Sequence, residues 1–165
     1  MVVLVAAAEP AVSELRLTHD PMAARGVPAH VTIVHPFRSR VDESMADQVA
    51  VIAASTLPFE AVFSAIGRFP GGVVFLAPDD PAPFVNLTRA FVDTFPDCPP
   101  YGGAFAEPVP HLTVGSSVQP ADADRLEAAL FPRLPISTRV GQLTLLVEDD
   151  DGQWTVDRSW PFGKP

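Results

Sequence analysis

His30-Val31-Thr32-Ile33 and His111-Leu112-Thr113-Val114 write one pattern twice: histidine, an apolar residue, threonine, an apolar residue. Between them they use two of the chain's four histidines. On an extended strand, side chains two apart share a face and intervening ones take the other. His30 and Thr32 are therefore expected side by side, with Val31 and Ile33 anchored in the core. The second copy reads the same way, His111 and Thr113 together over Leu112 and Val114. Two strands are predicted, each holding an imidazole and a hydroxyl out to one side.

The segments around these strands repeat as well. Val2 to Ala8 reads as a buried strand, and Ala11 to His19 as a short helix stopped by Asp20-Pro21, because the residue before proline is pushed out of helical backbone. The first motif strand, Ala29 to Val34, ends before Pro36. Ser39 to Ala54 is expected as a helix, with Val41, Met45, Val49 and Ile52 on one face. Phe59 to Ile66 and Gly72 to Leu76 read as a hairpin joined through Gly67-Arg68-Phe69-Pro70-Gly71. Pro83 to Phe95 carries apolar Phe84, Leu87, Phe91 and Phe95 at helical spacing. Pro96 to Pro110 is too dense in Pro and Gly for regular structure. After the second motif come a helix, Ala121 to Phe131, and a hairpin of Gln142 to Val147 with Gln153 to Val156 around an Asp151-Gly152 turn. Each motif strand is thus followed by a helix and a hairpin, which implies a duplicated α+β unit. Packed about a pseudo-twofold axis, two such units would bring the motif strands face to face.

Bulk properties narrow the possibilities. At 165 residues, residues 1–165 are expected to form a single bilobal domain. No apolar run approaches the ~18–20 residues of a membrane helix. Met1 to Ala8 has no basic residue ahead of its apolar run and reads as a strand, not a secretion signal. A single cysteine, Cys98, makes no internal disulfide and agrees with a reducing, cytoplasmic location. Eleven basic against twenty acidic residues give a net charge of −9 with no basic run, so long nucleic acid is not an expected partner. A small phosphate ester remains compatible, since one pocket can be positive within an acidic protein.

Two imidazoles and two hydroxyls suit phosphate ester chemistry. An unperturbed imidazole titrates near pH 6.5, so one of a pair can act as base while the other acts as acid. Each threonine can donate to a non-bridging oxygen. A lone histidine on a strand is more often structural, and the repetition is what favours His30 and His111 as catalytic. A metal site needs a third protein ligand, and neither motif has one at a near spacing; Glu107 and Cys98 are only loose candidates. No metal or cofactor is expected.

His30-Val31-Thr32-Ile33-Val34-His35-Pro36-Phe37 and Pro110-His111-Leu112-Thr113-Val114 resemble the signature tetrads of the 2H phosphoesterase superfamily, within it the 2′-5′ RNA ligase-like (LigT-like) branch. Pro99-Pro100-Tyr101-Gly102-Gly103-Ala104-Phe105 also resembles that branch. The resemblance spans nearly the whole chain. It implies an α+β fold, a duplicated bilobal unit of antiparallel sheets with flanking helices around a central cleft. It further implies metal-independent hydrolysis, transesterification or ligation at 2′,3′-cyclic or 2′-5′ phosphodiester bonds. By this carry-over His30 and His111 are the acid/base pair and Thr32 and Thr113 hold the phosphate. The charge suits a small nucleotide or cyclic phosphate, with a short RNA end as a further substrate class, handled by a monomer. The alternatives are an RNA 2′-5′ ligase or RNA-end processing enzyme, and a non-catalytic nucleotide- or phosphate-binding module.

Other residues carry less. Tyr101 is placed to bind substrate, on a Gly-rich loop entering the second motif. Phe37 and Phe75 could stack on a base, with core packing favoured for Phe75. His35 is expected to turn to the opposite face, and His19 to cap a helix in solvent. Arg38 and Arg68 could supply local positive field but read as solvated surface residues.

Overall fold

Among the described residues, eight strands divide into two sheets of four, antiparallel throughout. The computed structural model describes residues 1–38, 40–105 and 107–163. The expected helix start at Ser39, one position of the Pro96–Pro110 loop (Ala106) and the last two residues of the expected domain lie outside them.

The first sheet runs in the order β2 (His30–Thr32), β1 (Val2–Leu4), β7 (Gln142–Glu148), β8 (Trp154–Pro161). The second runs β5 (Leu112–Gly115), β4 (Val73–Pro78), β3 (Phe59–Phe69), β6 (Ile136–Val140). Both motif strands are therefore edge strands, and the two edges meet across the interior. The alternation read from sequence holds: Val31, Leu112 and Val114 are fully buried, while His30, Thr32, His111 and Thr113 are half-buried. β2 is aligned on β1 with Val31 opposite Val3 and His30 opposite Leu4. A one-residue slip would turn the histidine into the core, so burial of the valines fixes the register.

The duplication is realised with an exchange. The hairpin β3–β4, which follows the first motif, joins the second motif's sheet, and the hairpin β7–β8, which follows the second motif, completes the first motif's sheet. Neither half of the chain could form its sheet alone. Only Gly141 separates β6 in one sheet from β7 in the other.

Helices α1 (Glu9–His19), α3 (Glu43–Ser55), α4 (Ala82–Thr94) and α5 (Pro120–Leu130) cover the sheets, with a one-turn α2 at Pro21–Ala24. Their inward residues, among them Val12, Val49, Phe84, Leu87 and Leu126, join Val3, Phe63 and Leu76 in one continuous apolar core. A fully buried side chain of this size contributes roughly 1.5–3 kcal/mol. Helix α3 starts at Glu43 because the Asp42 carboxylate accepts the Met45 N–H at 2.9 Å. Asp20 ends α1 as expected, then caps α2 by accepting the Met22 N–H at 3.2 Å.

Three departures have physical reasons. β1 stops at Leu4, and Ala6–Ala8 forms a 3₁₀ turn leading into α1. Gly67, Arg68 and Phe69 extend β3 and the turn tightens to Pro70–Gly72, because Gly67 lies opposite Phe75 and accommodates its ring. β6 is an additional strand, Ile136-Ser137-Thr138-Arg139-Val140, which pairs with the first half of β3.

Candidate functional site

The imidazoles of the two motifs are held by the same local device. His30 Nδ1 stands 2.7 Å from the carbonyl of Pro28, and His111 Nδ1 stands 2.7 Å from the carbonyl of Val109. A carbonyl only accepts, so each neutral ring carries its proton on Nδ1 and leaves the Nε2 lone pair available. Two residues on, in each strand, a threonine hydroxyl lies on the same face. The structure thus brings four of the five residues singled out to the two facing sheet edges, His30, Thr32 and Thr113 on β2 and β5 and His111 immediately before β5.

The surroundings of the two rings differ. His30 lies close to the buried ion pair Arg16–Asp20, whose 3.0 Å contact is almost sealed from solvent. Burial pushes the His30 pKa down to about 4; the Pro28 carbonyl opposes this, and Arg16 adds to it. His111 packs against two phenyl rings, Phe69 with centroids 4.9 Å apart at 87° and Phe75 with centroids 5.3 Å apart at 61°. Burial lowers its pKa too, with the Val109 carbonyl opposing. Both rings therefore favour the neutral form at pH 7, where the sequence suggested one neutral and one charged.

Tyr101, the fifth residue, sits beside the first motif, although its loop runs into the second. Its N–H donates to the His35 carbonyl at 2.6 Å, and its hydroxyl lies within pairing reach of the Thr32 side chain. Its φ of 52° and that of Gly102, 63°, fold the loop tightly back onto β2. The adjoining Phe105 is exposed and edge-on to Tyr101.

The lesser candidates resolve as follows. Phe37 packs on Phe91 and Phe95 as core, and Phe75 is buried yet also walls His111. His35 is exposed and tilts toward Trp154. His19 is a half-buried joint, its carbonyl accepting the Ser116 N–H at 2.8 Å, which fastens the end of α1 to the end of β5. Arg38 is paired with Asp97, and Arg68 with Asp124 and Glu127. Cys98 is buried, and among the described residues no group of three or more His, Cys, Asp or Glu is placed to hold a metal. Sequence reasoning missed Phe69 and the Arg16–Asp20 pair. Opposite charges four apart on an otherwise amphipathic helix were the available signal for the pair.

The sequence profile of the 2′-5′ RNA ligase superfamily matches residues 4–152. No curated protein matches the chain in sequence. Among solved structures, E. coli LigT complexed with NADP+ is similar over 99% of this chain and 95% of that one, with 17% identity and a TM-score of 0.62. E. coli LigT complexed with 3′-AMP aligns over 98% and 95%, with 17% identity and a TM-score of 0.60. TT0787 of Thermus thermophilus aligns over 99% and 96%, with 18% identity and a TM-score of 0.59. At these identities the likeness establishes a common fold.

Proposed function

The chain belongs to the 2′-5′ RNA ligase superfamily, and from that premise we propose that it is a metal-independent phosphoesterase for 2′,3′-cyclic or 2′-5′ phosphodiester bonds of a nucleotide or RNA end. The observation that carries this reading is the matched pair of imidazoles at the starts of two facing edge strands, each with Nδ1 tied to a carbonyl and Nε2 free.

In ring opening, one Nε2 takes a proton from water as its oxygen attacks phosphorus. The other imidazole, protonated on Nε2, gives its proton to the leaving oxygen as that P–O bond breaks. One proton is accepted and one donated, so the products are a phosphomonoester and a free hydroxyl. Thr32 and Thr113 donate to non-bridging oxygens as negative charge builds there. Because burial keeps both rings neutral, the acid takes up its proton from solvent when the substrate binds; an anionic phosphate beside an imidazole favours its charged form. Ligation follows the same path with an RNA hydroxyl in place of water as the nucleophile, and its reversal, with the two histidines exchanging roles, cleaves the 2′-5′ bond.

Small ligands fit best. The net charge of −9 disfavours long nucleic acid, and the related E. coli LigT structures hold NADP+, 3′-AMP and ATP. Among the described residues no helix is long and apolar enough to cross a membrane. We place the protein in a reducing cytoplasm, as a monomer whose two sheets fold as one unit. The test is turnover of a panel of 2′,3′-cyclic nucleotides and 2′-5′-linked dinucleotides with EDTA present. Ring opening or cleavage that survives the chelator supports the proposal, and activity restored only by added divalent metal contradicts it.

A further inference from the structure

We propose that Phe69 and Phe75 form a brace that fixes the ring of His111, and that Gly67 is the residue that makes room for it; all three are positioning residues. The inference rests on the acid/base reading of His111 for its kinetic consequence, but its structural part stands independently.

Strand register brings the three residues to His111. Gly67 on β3 faces Phe75 on β4, and Phe75 in turn faces Thr113 on β5. Gly67, Phe75 and Thr113 thus share one face across three strands, and Phe69 and His111, two residues from Gly67 and Thr113, fall on the same face. The tip of the Phe75 ring occupies the space over Gly67 that a side chain would need. A Cβ at position 67 would fall 2.4 Å from Cζ and 2.5 Å from Cε2 of that ring, which real atoms do not tolerate. Phe69 stacks on Phe75 with centroids 4.1 Å apart at 26°. Both rings then abut His111, Phe69 edge-on.

The χ2 torsion of histidine is broad, so a hydrogen bond at Nδ1 alone leaves the plane of the ring loosely defined. Two phenyl walls remove that freedom and aim Nε2 in one direction. Reacting groups must be held within ~0.5 Å and ~10–20° for useful catalysis. Buried Phe75 also keeps water from that side of the imidazole; burial and the Val109 carbonyl are the influences that act on His111. His30 has no phenyl ring stacked on it among the described residues and instead feels the charges of the Arg16–Asp20 pair, so the brace belongs to one half of the site.

Gly67→Ala isolates the idea. Position 67 is extended backbone with no positive φ, so alanine is conformationally acceptable there and acts by displacing the Phe75 ring. The experiment records ¹⁵N and ¹H titrations of both histidines, with kcat and KM on a 2′,3′-cyclic nucleotide, for wild type, Gly67→Ala and Phe69→Leu. In both variants the His111 titration should move up toward the ordinary imidazole value while His30 stays in place. kcat should fall about 10-fold with KM within about 2-fold, as expected for small misplacement of a reacting group. Folded variants with wild-type His111 titration and unchanged kcat would overturn the proposal, making the rings core filling only. Where Gly67→Ala fails to fold, Phe69→Leu, at a half-buried position near the end of β3, decides alone. The titrations need no turnover, so failure of the proposed reaction and failure of the brace are separately visible.

Discussion

The His30 and His111 halves share one local design and differ in everything packed around it. In each, a ring nitrogen is tied to the carbonyl two residues back, and a threonine stands two residues on. Around His30 the fold places a sealed Arg16–Asp20 pair and the Tyr101 hydroxyl against Thr32; around His111 it places phenyl rings. The difference separates two jobs. Each tetrad with the two residues before it is enough to set tautomer and direction, because the tie from ring to carbonyl runs within one short stretch of chain. Proton affinity and ring rigidity come from distant elements, and there the two copies have diverged.

The largest expected effect breaks the halves together. His30→Ala and His111→Ala should each lower kcat about 10²–10⁴-fold, and the double variant should be little worse than the poorer single one, since groups acting as a unit are non-additive. Near wild-type turnover by either single variant, measured on a 2′,3′-cyclic nucleotide, would remove that histidine from the mechanism. Next come the hydroxyls. Thr32→Val and Thr113→Val should each cost roughly 10–1000-fold in kcat with melting temperature preserved, because a strand accepts valine readily. A shifted melting temperature with unaltered kcat would make them packing residues.

A smaller effect sharpens the contrast. The sequence points to Tyr101 as a substrate contact, and its placement suggests that it acts through Thr32. Tyr101→Phe should then lower kcat by less than Thr32→Val does, and by nothing further in the Thr32→Val background. An added loss in that background would restore Tyr101 as a direct substrate contact.

The smallest effect is on stability. The His30 pKa is near 4 in the fold against 6.5 in an open chain, so between these values the unfolded chain binds a proton that the folded one refuses. Stability from this source is present above pH 6.5 and is lost as the pH falls through 4, on the order of 3 kcal/mol in all. Urea melts at pH 7 and 4.5 should show His30→Gln losing less stability than wild type over that interval. Equal losses would contradict the burial of the ring.

What the sequence made legible was what acts locally. The His/Thr alternation, the apolar stripe of α4 and the Asp-Gly turn of the last hairpin each carry their own periodicity or turn chemistry, and each is found. Strand β6 escaped notice because Ser137, Thr138 and Arg139 leave only Ile136 and Val140 as apolar markers, just after Pro135. Gly67 read as a turn residue because sequence cannot show that an aromatic ring from beyond the turn will cross it. The exchange of hairpins between sheets left no local trace, for pairing of β7 with β1 joins opposite ends of the chain. Most of the candidate site was visible from its two tetrads. Their unequal environments were not, because those depend on which helix and which strand arrive alongside.

The most direct test of the central claim, matched rings in unmatched surroundings, is a single NMR titration of the unliganded protein that follows both imidazoles. The account predicts that at pH 7 both are neutral with the proton on Nδ1, that His30 titrates near 4, and that His111 titrates below the ordinary 6.5. Either ring carrying its neutral proton on Nε2, or both titrating together at 6.5 or higher, would contradict it.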